Sequence, residues 1–327
     1  MAQPLNLTTQ CLDNWAEKLP QISDPELTLA MVRFAEVLQR VPKFLLPEGG
    51  RPIDDPASVA RLYPELHLPF PAVALEYLAD GPIGEHEVAS RKRISLAWSL
   101  DRGAPPLFGE LTGVELAPSR GILVQSISYI NQVDMWMPIF GMIVVHLEQY
   151  PGKMRVQELR PQMAELTRHR MRSTKGSTET YSATAYATVS RIVQQYGPEM
   201  AADLVAADSG DEVLAALSFA ALSACANVST EVLPAPAALN KKREARGRPP
   251  IFDTRVLMVT SNGYRGRARA NAAEAATGIT LREHLRRGHV RRLEDKIVLI
   301  PNAVVNPGVA DAPVPRYALQ RERPRGA

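Results

Sequence analysis

The sequence predicts an α+β protein, with a mixed α+β first part built on a sheet and a small basic helix-plus-hairpin module at the C-terminal end. Three observations predict it. Apolar residues at helical spacing alternate along the chain with short runs rich in β-branched and aromatic residues. Prolines, 27 in 327 residues, punctuate those runs and require many loops. The charge is also divided: residues 240–327 hold 19 Lys+Arg against 8 Asp+Glu, leaving 19 against 27 in residues 1–239. An evenly solvated surface would mix the signs, so the division points to two jobs, one of them with an anionic partner.

Leu27, Met31, Phe34, Leu38 and Val41 recur at helical spacing behind Asp24, an N-cap candidate, with Pro25 at the first helical position. Pro42 ends that helix. A loop over 47–56 and a short helix over 56–63 follow. The apolar segment 68–77 reads as extended, and Pro69 and Pro71 place it at a sheet edge. Further strands are expected at 93–100, 121–129 and 138–146. The helical pattern returns over 153–172 and 184–196, while the Ser/Thr-rich stretch 173–187 reads as loop. The clearest helix of this region is 211–226, where Val213, Leu214, Leu217, Ala220, Ala221 and Ala224 make a wide apolar stripe.

These elements divide the chain into an acidic α+β domain over 1–232, a Pro-rich basic linker over 233–250, a basic His/Arg module over 251–310 and a flexible basic tail over 311–327. Within the module, a strand is expected over 251–260, a turn over 261–266 and an alanine-rich helix over 267–277. Thr280 and Glu283 fit a capping box that opens a helix ending at Arg287, with Gly288 at its exit. A hairpin then pairs 289–293 with 296–300.

Several function classes drop out. No basic segment followed by an apolar one begins the chain, and the longest apolar stretch, 135–146, is shorter than the ~20 residues a bilayer requires. A cytoplasmic protein without a membrane partner is expected. Cys11 and Cys225 are too far apart for a C-x-x-C pair and read as reduced thiols. No P-loop, G-x-G-x-x-G after a strand, H-E-x-x-H or G-x-S-x-G is present, and no cofactor is expected.

The chemistry concentrates at the basic end. The predicted helix puts Arg282 and Arg286 four residues apart, with His284 and Arg287 on the neighbouring face. The hairpin adds His289, Arg291 and Arg292. Guanidinium groups bind phosphate through two parallel hydrogen bonds and stay charged at any cellular pH. Lys241, Lys242, Arg243, Arg246 and Arg248 in the linker add backbone contacts that ignore base sequence. Aromatic residues for stacking are few here, only Phe252, Tyr264 and Tyr317, which favours phosphate or shape recognition. His284 and His289 fit two roles: phosphate contact or structural ordering of the turn, and acid and base in metal-free RNA cleavage. No metal site is expected, since two histidines without carboxylate or thiolate neighbours make a poor one.

At Asn240-Lys241, His284-x-Arg286-Arg287-Gly288-His289 and Ala303-Val304-Val305-Asn306-x-Gly308, the last quarter of the chain resembles a family of phage and mobile-element proteins. That family includes a type V-A anti-CRISPR member that lowers its target's messenger RNA during translation. This chain departs from the family at Val290, where relatives carry an aromatic, and at Val298 or Leu299, where they carry a Trp. The resemblance implies a regulator whose first part recognises a nascent peptide or host protein while the basic module meets RNA or the ribosome. Two other readings stay open: a metal-independent ribonuclease centred on His284 and His289, and a phage structural or DNA-associated protein.

Overall fold

A computed structural model describes residues 5–53, 65–79, 89–147, 209–259 and 289–300 (except 295). It also describes strands at 162–167, 170–175, 178–182, 284–286 and 303–305, and positions 59, 62 and 194. The fold is α+β. Helices α1 (Leu7–Lys18) and α2 (Pro25–Arg40) lead into β1 (Lys43–Leu45), β2 (Ala72–Leu78) and β3 (Ala89–Ser99). Helix α3 (Pro106–Thr112), β4 (Gly121–Ile130) and β5 (Met135–His146) follow, then β6 (Gln162–Thr167), β7 (Arg170–Lys175) and β8 (Thr178–Ser182). Helix α4 occupies 209–223. After it come β9 (Val228–Leu233), α5 (Ala237–Glu244) and β10 (Thr254–Val259). The chain continues with β11 (His284–Arg286), β12 (His289–Arg292), β13 (Ile297–Ile300) and β14 (Ala303–Val305).

Ten strands form one sheet in the order β6-β7-β8-β5-β4-β3-β2-β1-β10-β9. β1 runs parallel to both β2 and β10, and the other neighbours are antiparallel. Over the central strands β2–β5 both faces are covered. On one, Val73, Leu75, Ala97, Val124 and Val145 pack with Leu217, Ala220 and Ala221 of α4. On the other, Leu96, Trp98, Leu123 and Val144 pack with Trp15 of α1, Phe34 of α2 and Phe108 of α3. Two-sided burial explains continuous apolar runs such as Ile122-Leu123-Val124, where a half-exposed strand would alternate.

Helix α2 starts as its sequence predicts, with the Asp24 carboxylate accepting from the Glu26 and Leu27 amides at 3.0 and 3.1 Å. Four other expectations change. The 68–77 segment supplies an interior strand, because Pro69 and Pro71 fall in its lead-in and no ladder amide is lost within Ala72–Leu78. The helix expected over 153–172 is replaced from Gln162 onward by β6 and β7, which begin after Pro161. The 173–187 loop contains the end of β7 and all of β8, whose pairing with β5 overrides local preference. At 284–286 the capped helix gives way to a strand, since Ala303–Val305 offers a pairing partner that local pattern does not reveal. Most of the 56–63 and 184–196 helices, the turn and alanine-rich helix over 261–277, and the 311–327 tail lie outside the described residues.

The 233–250 segment is also not an extended linker. Pro236 stands at the N-cap of α5, so Pro234 and Pro236 precede the helix and Pro249 and Pro250 follow it. The strand after it joins the large sheet, β10 pairing with β1 on one side and β9 on the other.

Candidate polyanion-binding surface

Helix α5 bridges the antiparallel strands β9 and β10 and is held from three directions. Asn240 pairs with the Ile251 backbone as a strand would: its Nδ2 donates to the Ile251 carbonyl and its Oδ1 accepts from the Ile251 amide, both at 2.8 Å. Arg243 donates twice from Nη2 to the Asp13 carboxylate on α1, at 2.7 and 2.8 Å, and from Nε to the Pro249 carbonyl at 2.6 Å. The exit closes as a Schellman motif, with Arg248 N donating to Arg243 O at 3.0 Å and Gly247 N to Glu244 O at 2.9 Å. Gly247 takes φ 63°, the left-handed conformation that this closure needs.

Those anchors decide what the cations face. Asn240 and Arg243, three residues apart, share the anchored side of the helix, so Lys241 and Lys242 straddle the opposite side. Arg246 follows Lys242 by four residues on the same side, and Arg248 stands one residue past the glycine. All four are exposed. Among the described residues none of them makes an ion pair. Arg243, grouped with them by sequence, is committed to the fold.

The hairpin β12–β13 carries the second group. Val290 and Leu299 are buried in the α4-side core. Asn227, just past α4, exchanges two hydrogen bonds with the Leu299 backbone at 2.9 and 2.8 Å, and Ala226 N donates to Ile297 O at 2.8 Å. Arg292 pairs with Glu65, while Arg291 is exposed. Two basic residues, Arg243 and Arg292, thus tie the positive end of the chain to acids of the negative part. His284 and Arg286 lie on β11 and His289 on β12, in separate two-stranded sheets. Arg282 and Arg287 lie outside the described residues.

Glu65 also borders a cleft of about 370 Å³ lined by His67, Ser99, Asp101 and Arg120, in which Ser99 Oγ donates to Asp101 at 2.7 Å. Among the described residues no group of three or more His, Cys, Asp or Glu could hold a metal ion. No helix among them is long and apolar enough to cross a membrane.

Sequence reading missed three buried ionisable groups. The Glu76 carboxylate on β2 accepts from the Leu7 and Thr8 amides at the start of α1, at 2.8 and 3.0 Å; burial raises its pKa against those hydrogen bonds. Burial lowers Lys43 to about 8, against the pull of Glu76, and its ammonium lies 3.8 Å from the centre of the Phe252 ring. Glu212 on α4 is 0% exposed, with Arg93 Nε at 3.4 Å, and burial pushes it up to about 7 while Arg93 opposes. For Glu76 and Lys43 the sequence signal was a charge interrupting an apolar run, as in Ala74-Leu75-Glu76-Tyr77; Glu212 follows Asp211 and carries no such signal.

Searches against protein-family models, curated proteins and solved structures return no match to this chain.

Proposed function

We propose that the protein is an RNA-binding regulator, of the kind phages and mobile elements carry, that grips the phosphate backbone through Lys241, Lys242, Arg246 and Arg248, with Arg291 on the hairpin as a further contact. The observation that carries this reading is the exposed, unpaired state of those four cations, among the described residues, on a segment anchored from the other side. Cations without internal partners keep their charge available for phosphate, and each contact releases condensed counterions. The resemblance of the last quarter to phage regulators is consistent with this. In the same reading, the acidic first part meets a protein or a nascent peptide.

The test is fluorescence anisotropy of the full-length protein with labelled RNA between 50 and 200 mM salt. Affinity is expected to fall with a log–log slope of about −3 to −4 if the four cations each neutralise one phosphate. Replacing all four by Gln removes most of that slope and leaves the circular dichroism spectrum unchanged. Absence of salt-sensitive binding by the wild type, or full binding by the variant, rejects the proposal.

A further inference from the structure

We infer that the surface formed by Lys241, Lys242, Arg246 and Arg248 fits the phosphate backbone of a double helix in preference to single-stranded nucleic acid. This rests on the RNA-binding reading and specifies the form of the ligand.

The first argument is preorganisation. A disordered basic tail adapts to a flexible strand and loses conformational entropy on binding. Here the carrier is already fixed. The Asn240–Ile251 pair, the doubly bonded Arg243–Asp13 contact and the Arg243–Pro249 bond hold the helix. Thr9 Oγ1 adds a bond to the Pro250 carbonyl at 3.2 Å. The closure at Gly247 then sets where Arg246 and Arg248 leave the helix. Lys242 on the last turn of α5 and Arg246 in the closing turn after it are four residues apart, ~6 Å along the helix axis if the turn keeps the helical rise. Cations carried on a fixed frame suit a regular row of phosphates, and a duplex presents one.

The second argument is the missing stacking surface. Single-strand binders gain much of their affinity from bases laid on aromatic rings. Phe252 is the one aromatic residue between 237 and 259, and its ring is partly buried against the α1/α2 core beneath the Lys43 ammonium. No ring is therefore offered to a base within this segment. What remains is charge on a fixed frame, suited to reading backbone shape.

Glu244 is the one acid on α5 and is exposed. It lies on the flank between Asn240 and Lys241, on the far side from Lys242 and Arg246. A phosphate row laid over those two cations passes it by.

The experiment compares full-length protein binding to a duplex RNA of about 16 base pairs, each of its separated strands, and a duplex DNA of the same sequence, at one salt concentration. Duplex RNA is expected to bind at least ten-fold tighter than either strand, with the Gln quadruple variant removing that preference. Duplex DNA within a few-fold of duplex RNA supports backbone reading. Equal or tighter binding of the single strands overturns this inference while leaving RNA binding itself in place. Loss of binding to every ligand rejects the RNA-binding reading instead.

Discussion

Arg243 and Asp13, 230 positions apart in sequence, meet through two hydrogen bonds of 2.7 and 2.8 Å. The contact joins the basic end of the chain to its acidic beginning. It also sorts the cations: one arginine of the 241–248 cluster holds the helix, and its neighbours face solvent. With side-chain exposures of 14% and 31%, the pair is sheltered enough to contribute to stability.

Arg243→Ala is expected to lower unfolding stability by about 1–3 kcal/mol, and a double-mutant cycle with Asp13→Ala to show a coupling of about 1 kcal/mol. Chemical denaturation of the four proteins measures this. Additive single effects would mean that the two residues act independently.

Arg246→Gln alone is expected to reduce the salt slope of RNA binding by about 1 without shifting the melting temperature. Arg292→Gln should do the reverse, lowering thermal stability slightly, because its guanidinium already pairs with Glu65. Identical behaviour of the two variants would contradict this division of roles.

Glu212 makes stability depend on pH. Its folded pKa, about 7, lies above the ordinary value of 4.5, so the native state holds its proton over a range where the unfolded chain has lost it. Its contribution is fully present below pH 4.5 and is lost as pH rises through 7. Thermal melts of wild type and Glu212→Gln should therefore converge at low pH, separate as pH rises from 4.5 to about 7 and stay apart above it, with Gln the more stable. Parallel curves across this range would exclude Glu212 as the source.

Two glycines separate conformational strain from collision. Gly247 has φ 63° with nothing within 4 Å of an added Cβ, so Gly247→Ala should cost about 1–2 kcal/mol. At Gly50, φ is +66° and an added Cβ would lie 2.7 Å from the Tyr77 ring, so Gly50→Ala should cost distinctly more. Denaturant midpoints of the two variants test the order.

Phe44 and Phe219 pack with ring centroids 4.6 Å apart, joining β1 to α4. Either residue changed to Ala is expected to lose about 3–5 kcal/mol. A smaller loss, with unchanged cooperativity, would show that this part of the core collapses around the cavity.

By itself the sequence determined what depends on neighbours along the chain. Asp24 and Pro25 state where α2 begins, the apolar stripe beginning at Val213 marks a buried helix, and the runs around Arg93–Ser99 and Gly121–Tyr129 mark strands. The 289–300 hairpin was legible for the same reason, since its two strands are joined by a short turn. The concentration of cations after Asn240 was visible as well. Tertiary structure decided whatever depends on a distant partner. Residues 162–182 carry a partly helical pattern but enter the sheet, because β8 finds β5; 284–286 become a strand because 303–305 lie alongside. The identities of the cations that remain free were equally hidden. Lys241 and Arg243 are equivalent as letters, but a helix anchored through Asn240 and Arg243 turns one cation toward Asp13 and the other toward water. Pattern along a chain gives the charge present; only the fold determines which charges neutralise one another.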